Sequence, residues 1–151
     1  MRKITLAFVS CLFVLAAHPA FAEIWDTYAP SKHVWRITRV RIVEPNKIDD
    51  YVSGLHKSYV PVMEIAKRNG SVIDYHILIN QSRGSSEANV VFLEEFSSWG
   101  ALEPDKDRDL KARAELRQNL PKDQVDKMVD EYNKYRTFLD QSSYWSVEYL
   151  K

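Results

Sequence analysis

Residues 34–43 read VWRITRVRIV, and residues 44–46, which follow, read EPN. Six of the ten residues in the first stretch are β-branched, and none is Gly or Pro. That composition predicts a strand over 34–43. Pro45 cannot donate to a sheet and Asn46 can cap a helix, so the strand is expected to stop there and a helix to begin. Alternation sets Trp35, Ile37 and Val43 against Val34, Val40 and Ile42. Both faces of this strand are therefore apolar, which calls for cover on both sides.

Downstream, 47–69 has helical period, with Ile48, Tyr51, Val52, Leu55 and Tyr59 falling on one face. Pro61 interrupts that stripe and is expected to kink or divide the helix, and Gly70 supplies the stop. Residues 72–80 alternate, Ile73, Tyr75, Ile77 and Ile79 facing away from Asp74, His76, Leu78 and Asn80. A loop over 81–87 then leads to a partner strand over 88–96, which makes a hairpin. A charged helix is expected from about Asp105 to Asn119. A second helical segment opens at Pro121 and carries a stripe from Val125 to Leu139 that ends near Asp140. A short strand over 144–150 closes the chain, and 23–33 reads as an irregular lead-in with a Pro-Ser-Lys turn. The order β-α-β-β-α-β predicts an α+β, ferredoxin-like domain over 34–151: a four-stranded antiparallel sheet with helices on one face. Helices can cover one face only, so the expected partner for the other is a second copy, a homodimer packed sheet on sheet.

The totals bound the remainder. Arg2 and Lys3, an apolar run over 4–17, then Ala20-Phe21-Ala22 read as a cleavable signal peptide over 1–22, too short and too early for a membrane span. Cleavage predicts a periplasmic or secreted protein with no stable membrane span. The chain has 21 basic and 21 acidic residues; the signal removes two basic ones and leaves a net charge of −2, which gives no basic footprint for nucleic acid. Cys11 is the only cysteine and leaves with the signal, so the mature chain has no disulfide or thiolate site.

The chain resembles the dimeric α/β-barrel superfamily, which includes antibiotic-biosynthesis-monooxygenase and NIPSNAP-like domains. The resemblance rests on Val40-Arg41-Ile42-Val43-Glu44-Pro45-Asn46-Lys47, similar to the strand, proline, glycine and helix run common there, with Asn46 in place of the glycine. It rests also on Val91-Phe92-Leu93-Glu94-Glu95-Phe96-Ser97-Ser98-Trp99, a strand that runs into an aromatic before the second helix. It spans about residues 34–150 and implies a barrel closed by two sheets. The haem-degrading branch places an axial histidine on the second helix; here no histidine follows His76, which argues against that activity.

Candidate chemistry is sparse. The mature chain offers His33, His56 and His76 without metal-ligand spacing, so no metal site and no cofactor are expected. His76 shares a strand face with Asp74, and a histidine beside a carboxylate can act as general base or proton shuttle. A histidine hydrogen-bonded across the hairpin is the plainer reading. Arg36, Arg39, Glu94 and Trp99 are candidate ligand-binding residues, and alternation lets only one of the two arginines share a cavity with His76. Cross-strand charge pairing, and a Trp99 that staples the second helix, are the structural alternatives. Three functions remain in view. The first is an exported module whose barrel holds a small ligand, and the second a cofactor-independent monooxygenase or isomerase acting on a small aromatic or acidic compound. The third is a structural or interaction protein whose second sheet face is reserved for a partner.

Overall fold

The computed structural model describes residues 26–80 and 87–150. The expected signal peptide with Cys11, residues 23–25 of the lead-in and residues 81–86 of the hairpin loop lie outside the described residues. Strand β1 (Tyr28–Ile42) is followed by a 3-10 turn (Pro45–Lys47) and helix α1 (Ile48–Arg68). Strands β2 (Val72–Ile79) and β3 (Val90–Phe96) lead into a second 3-10 turn (Trp99–Leu102). Helices α2 (Lys106–Asn119) and α3 (Lys122–Asn133) then precede strand β4 (Arg136–Tyr149). The four strands form one antiparallel sheet in the order β2-β3-β1-β4, with the helices on one face. This is the ferredoxin-like topology expected from the order of elements.

Register and burial assign the faces. Val34, Arg36, Thr38 and Val40 of β1 lie opposite Phe96, Glu94, Phe92 and Val90 of β3, and these β3 residues are all buried under the helices. Trp35, Ile37 and Arg39 pair with Glu95, Leu93 and Val91 on the open face. The core has two clusters. One joins Val40, Ile42, Val90 and Phe92 to Tyr51 and Leu55 of α1 and to Tyr132 of α3. The other joins Val34, Val72 and Phe96 to Met63. Tyr59 packs against both.

Four expectations need correction. Pro61 does not divide α1, which continues to Arg68. Its missing donor removes one bond, but Tyr51 and Leu55 anchor one half of the helix and Met63 the other, in separate clusters. The lead-in is not irregular from Tyr28 onward: Tyr28 pairs with Tyr149 and Pro30 with Val147, and a register shift between Pro30 and Val34 absorbs the proline. The last strand begins at Arg136, not at 144, and α3 ends at Asn133. Tyr135, Phe138 and Leu139 fit a helical spacing, but β1 would then present unpaired backbone from Arg36 to Ile42, and 136–143 satisfies it. Finally, β2 carries a register shift between Val72 and Asp74. Ile73 is left without a partner and exposed, while Val72 and Tyr75, three residues apart, both face the helices.

Candidate functional site

A cavity of about 310 Å³ lies on the helix side of the sheet, between β1, β3 and β4 below and α1 and α3 above. Thr38, Phe92 and Glu94 form its floor, Leu55, Ser58 and Tyr59 one wall, and Val125, Val129 and Tyr132 the other. Arg136, Phe138 and Gln141 come from β4. In a regular strand residues 138 and 141 would face opposite ways. The register shift at Arg39/Val40 leaves Leu139 without a β1 partner and turns both onto the cavity.

The polar end is built around Glu94, which is 4% exposed. Tyr59 donates its hydroxyl hydrogen to Oε1 at 2.7 Å, and Arg36 donates Nε–H to Oε2 at 2.5 Å. Register explains the ion pair, since Arg36 and Glu94 are direct cross-strand partners. The Arg36 guanidinium also lies 4.7 Å from the centre of the Phe96 ring. Burial first, and then the Glu94 charge, push the Tyr59 phenol well above its ordinary pKa, so it stays a proton donor. Beside this set, Gln141 donates Nε2–H to Thr38 Oγ1 at 2.9 Å. At the α3 end the Arg136 guanidinium sits 5.4 Å from the Tyr132 ring centre and 4.7 Å from that of Phe138, and donates to the Tyr51 hydroxyl at 3.4 Å. The site thus offers apolar walls, one neutralised carboxylate and several reorientable donors and acceptors.

Of the residues singled out from sequence, Arg36 and Glu94 are brought together here. His76 and Asp74 lie away from them. His76 Nε2 is 3.6 Å from Asp74 Oδ2, beyond hydrogen-bonding distance, and their side chains are 52% and 44% exposed. Asp74 instead accepts from Lys67 Nζ at 2.9 Å, and that bond holds its carboxyl below the usual range. Arg39, on the open face, is clasped by Asp140 through Nε at 2.8 Å and through Nη2. Trp99 meets the Trp145 ring edge-on at 6.3 Å and ties its turn to β4. The cavity lies within this chain on the helix face of the sheet and is distinct from the barrel between two sheets that the resemblance implies. Tyr59, Thr38 and Gln141 were not anticipated. A tyrosine in an apolar stripe was a usable signal, since its hydroxyl needs a partner once buried. Among the described residues, no group of three or more His, Cys, Asp or Glu is placed to hold a metal, and no helix is long and apolar enough to cross a membrane.

No family model matches the chain, and no curated protein does. Solved structures are similar in fold. A dimeric ferredoxin-like protein from an uncultured marine organism is 13% identical, over 78% of this chain and 95% of that one, with a TM-score of 0.48. HapK from Hahella chejuensis is 8% identical over 74% and 90%, at 0.46. SnoaB, a cofactor-independent oxygenase from Streptomyces nogalater, is 9% identical over 77% and 94%, at 0.45.

Proposed function

We propose that this chain is an exported, homodimeric small-ligand-binding protein that holds one mostly apolar molecule per protomer in the cavity between the sheet and helices α1 and α3. The observation that carries this reading is the pairing of apolar walls with a small, clustered polar end. Leu55, Phe92, Val125 and Val129 supply the first, and Tyr59, Glu94, Thr38 and Gln141 the second. Because Arg36 neutralises Glu94, the polar end suits a neutral hydroxyl, phenol or carbonyl better than a strong anion. Export rests on the n-region, the apolar run and Ala20-Phe21-Ala22. It is tested by N-terminal sequencing of protein recovered from the periplasm or medium, which should begin at Glu23.

Binding is tested by a thermal-shift screen of phenols and small aryl ketones. A ligand that binds only the folded state at 100 times its Kd adds about 2.7 kcal/mol, which is readily seen as a higher Tm. Val129→Trp, which fills the cavity from α3, should abolish the shift. A shift that persists in that variant would place the ligand elsewhere.

A second reading is favoured by one observation, the buried carboxylate of Glu94 at the cavity wall. A cofactor-independent monooxygenase or isomerase needs a base in a dry site and a substrate that supplies the reactivity. Turnover of a bound phenol in air, lost in Glu94→Gln while binding persists, would establish it. Binding without turnover leaves the first reading in place.

A further inference from the structure

A second cavity, also of about 310 Å³, lies under α2 and shares no lining residue with the first. Met63, Val72 and Phe96 form its base, and Ala66, Ala101 and Ala112 line it without filling it. The cause is in the sequence of α2. KDRDLKARAELRQN presents no broad apolar face, and the helix contributes no buried residue. It stands off the sheet and is tied to α1 at the surface by the Arg68–Glu115 ion pair. The space left is at the lower end of the roughly 300–1,000 Å³ typical of small-molecule sites.

Three guanidinium groups border this apolar space: Arg108, Arg113 and Arg117. Arg108 is committed, to Asp109 Oδ1 at 3.1 Å and to the Glu103 carbonyl at 2.7 Å. Arg117 lends one Nη1–H to the Leu120 carbonyl at 3.3 Å, which leaves donors to spare. Arg113, one helical turn from Arg117, makes no hydrogen bond or ion pair with the described residues.

We propose that this cavity is a second ligand site and takes a monocarboxylate with a compact aryl or medium-chain alkyl body. The body occupies the space over Phe96 and the three alanines, and the carboxylate meets the free fork of Arg113 and the spare donors of Arg117. Arg108 and Asp109 pair with each other at the same border, so Arg113 and Arg117 are left to receive the carboxylate.

The test is calorimetric titration of the purified protein with octanoate, 1-octanol and octyl phosphate, paired with methyl NMR. Octanoate should bind at least tenfold more tightly than 1-octanol, and Arg113→Gln should weaken octanoate roughly tenfold while leaving octanol unchanged. Shifts on octanoate binding should appear at the methyls of Ala66, Ala101 and Ala112. Arg113 is exposed and unbonded, so its variant should fold normally. The proposal is overturned by absent octanoate binding, by equal affinity for octanol, by tighter binding of octyl phosphate, or by an unchanged Arg113→Gln. Shifts confined to Val125 and Val129 would also overturn it, because they would report the other cavity.

Discussion

The Tyr59 hydroxyl reaches from α1 to Oε1 of Glu94 on β3 at 2.7 Å, and so couples the helix layer to the one carboxylate that is buried among the described residues. Arg36 holds the other carboxylate oxygen from the neighbouring strand. Each partner removed leaves a buried charge less satisfied, and the two losses differ in size. Tyr59→Phe deletes a hydrogen bond to a charged acceptor and should cost about 2 kcal/mol in urea unfolding. Arg36→Met leaves Glu94 without its countercharge and should cost about 3 kcal/mol, the low end for a buried pair because Arg36 remains 28% exposed. A Tyr59→Phe cost larger than the Arg36→Met cost would show that the phenol, not the guanidinium, is the main support of Glu94.

Alkaline pH should destabilise the fold. Tyr51, Tyr59, Tyr75 and Tyr135 all have their phenols pushed upward, in each case chiefly by burial, and Tyr75 is pushed up to about 12. A raised acid pKa means that the folded state keeps a proton which the unfolded chain gives up from roughly pH 10. These contributions are fully present below that pH and are lost as pH rises through the folded values. Urea midpoints should therefore be flat to about pH 9.5 and fall beyond it. Tyr75→Phe, whose phenol donates to Glu64 at 2.9 Å, should reduce the slope between about pH 10 and 12. An unchanged slope in Tyr75→Phe would assign the alkaline loss to the other tyrosines or to Lys47 and Lys67, whose amines are held above their ordinary pKa by hydrogen bonds to Asp50 and Asp74.

Gly54 is where α3 approaches α1. A Cβ there would clash with the Tyr132 hydroxyl oxygen, and Tyr132 is buried in edge contact with Tyr51 at 5.1 Å. In an exposed helix Gly→Ala stabilises by about 1 kcal/mol. Here displacement of a packed ring should reverse the sign, with a net loss of about 1–3 kcal/mol. Tyr132→Phe in the same background should recover part of it, because the hydroxyl is the nearest clashing group. A stabilised Gly54→Ala would mean that α3 moves freely on α1.

Much of this fold was legible because its signals are local. The β-branched run in 34–43, the Glu44-Pro45-Asn46 stop and the strict alternation of β3 each act within a few residues, and the opposed apolar faces they predict are those observed. What escaped depends on long-range register. Residues 136–139 satisfy a helical stripe and a strand equally well, and the unpaired edge of β1 decides between them. The site followed the same rule. Arg36 and Glu94 were visible as charged residues in apolar strands, but only the β1–β3 register makes them partners. The shift at Leu139 that turns Phe138 and Gln141 onto the cavity has no composition signal.

Asn89 should matter more than a loop residue normally does. Its side chain imitates a strand backbone: Oδ1 accepts from the Ile42 N–H at 2.7 Å, and Nδ2–H donates to the Ile42 carbonyl at 2.9 Å. This extends the β1–β3 ladder beyond Val40 and Val90. Asn89→Ala removes both bonds and should cost about 1–2 kcal/mol. Asn89→Asp retains the acceptor, loses the donor and places a charge against the carbonyl, so it should not rescue. Faster amide exchange at Ile42 in Asn89→Ala checks the assignment, and protection in that variant equal to that of the parent chain would refute it.

The open face of the sheet should be a homodimer interface. Trp35, Ile37, Val91 and Leu93 sit at its centre, only partly buried, with Leu78 and Tyr144 at 49% and 52% exposure towards the edges. No helix of the described residues crosses this face, and leaving it in water forgoes about 25 cal/mol for each Å² of apolar surface. Two of the charged groups at its margins are already paired within the chain, Arg39 with Asp140 and Glu95 with His33 Nδ1 at 2.8 Å, so a second copy could cover the centre without stranding those two. A stable interface buries about 800 Å² per partner, which a four-stranded face of this kind can supply. Purified protein should sediment at twice its monomer mass, and Leu93→Asp or Val91→Asp should yield monomer or aggregate. Because the Tyr59 cavity lies on the opposite side of the sheet, a soluble monomeric variant should still bind a ligand there. A parent chain that stays monomeric at high concentration would sink the interface and leave the cavity standing.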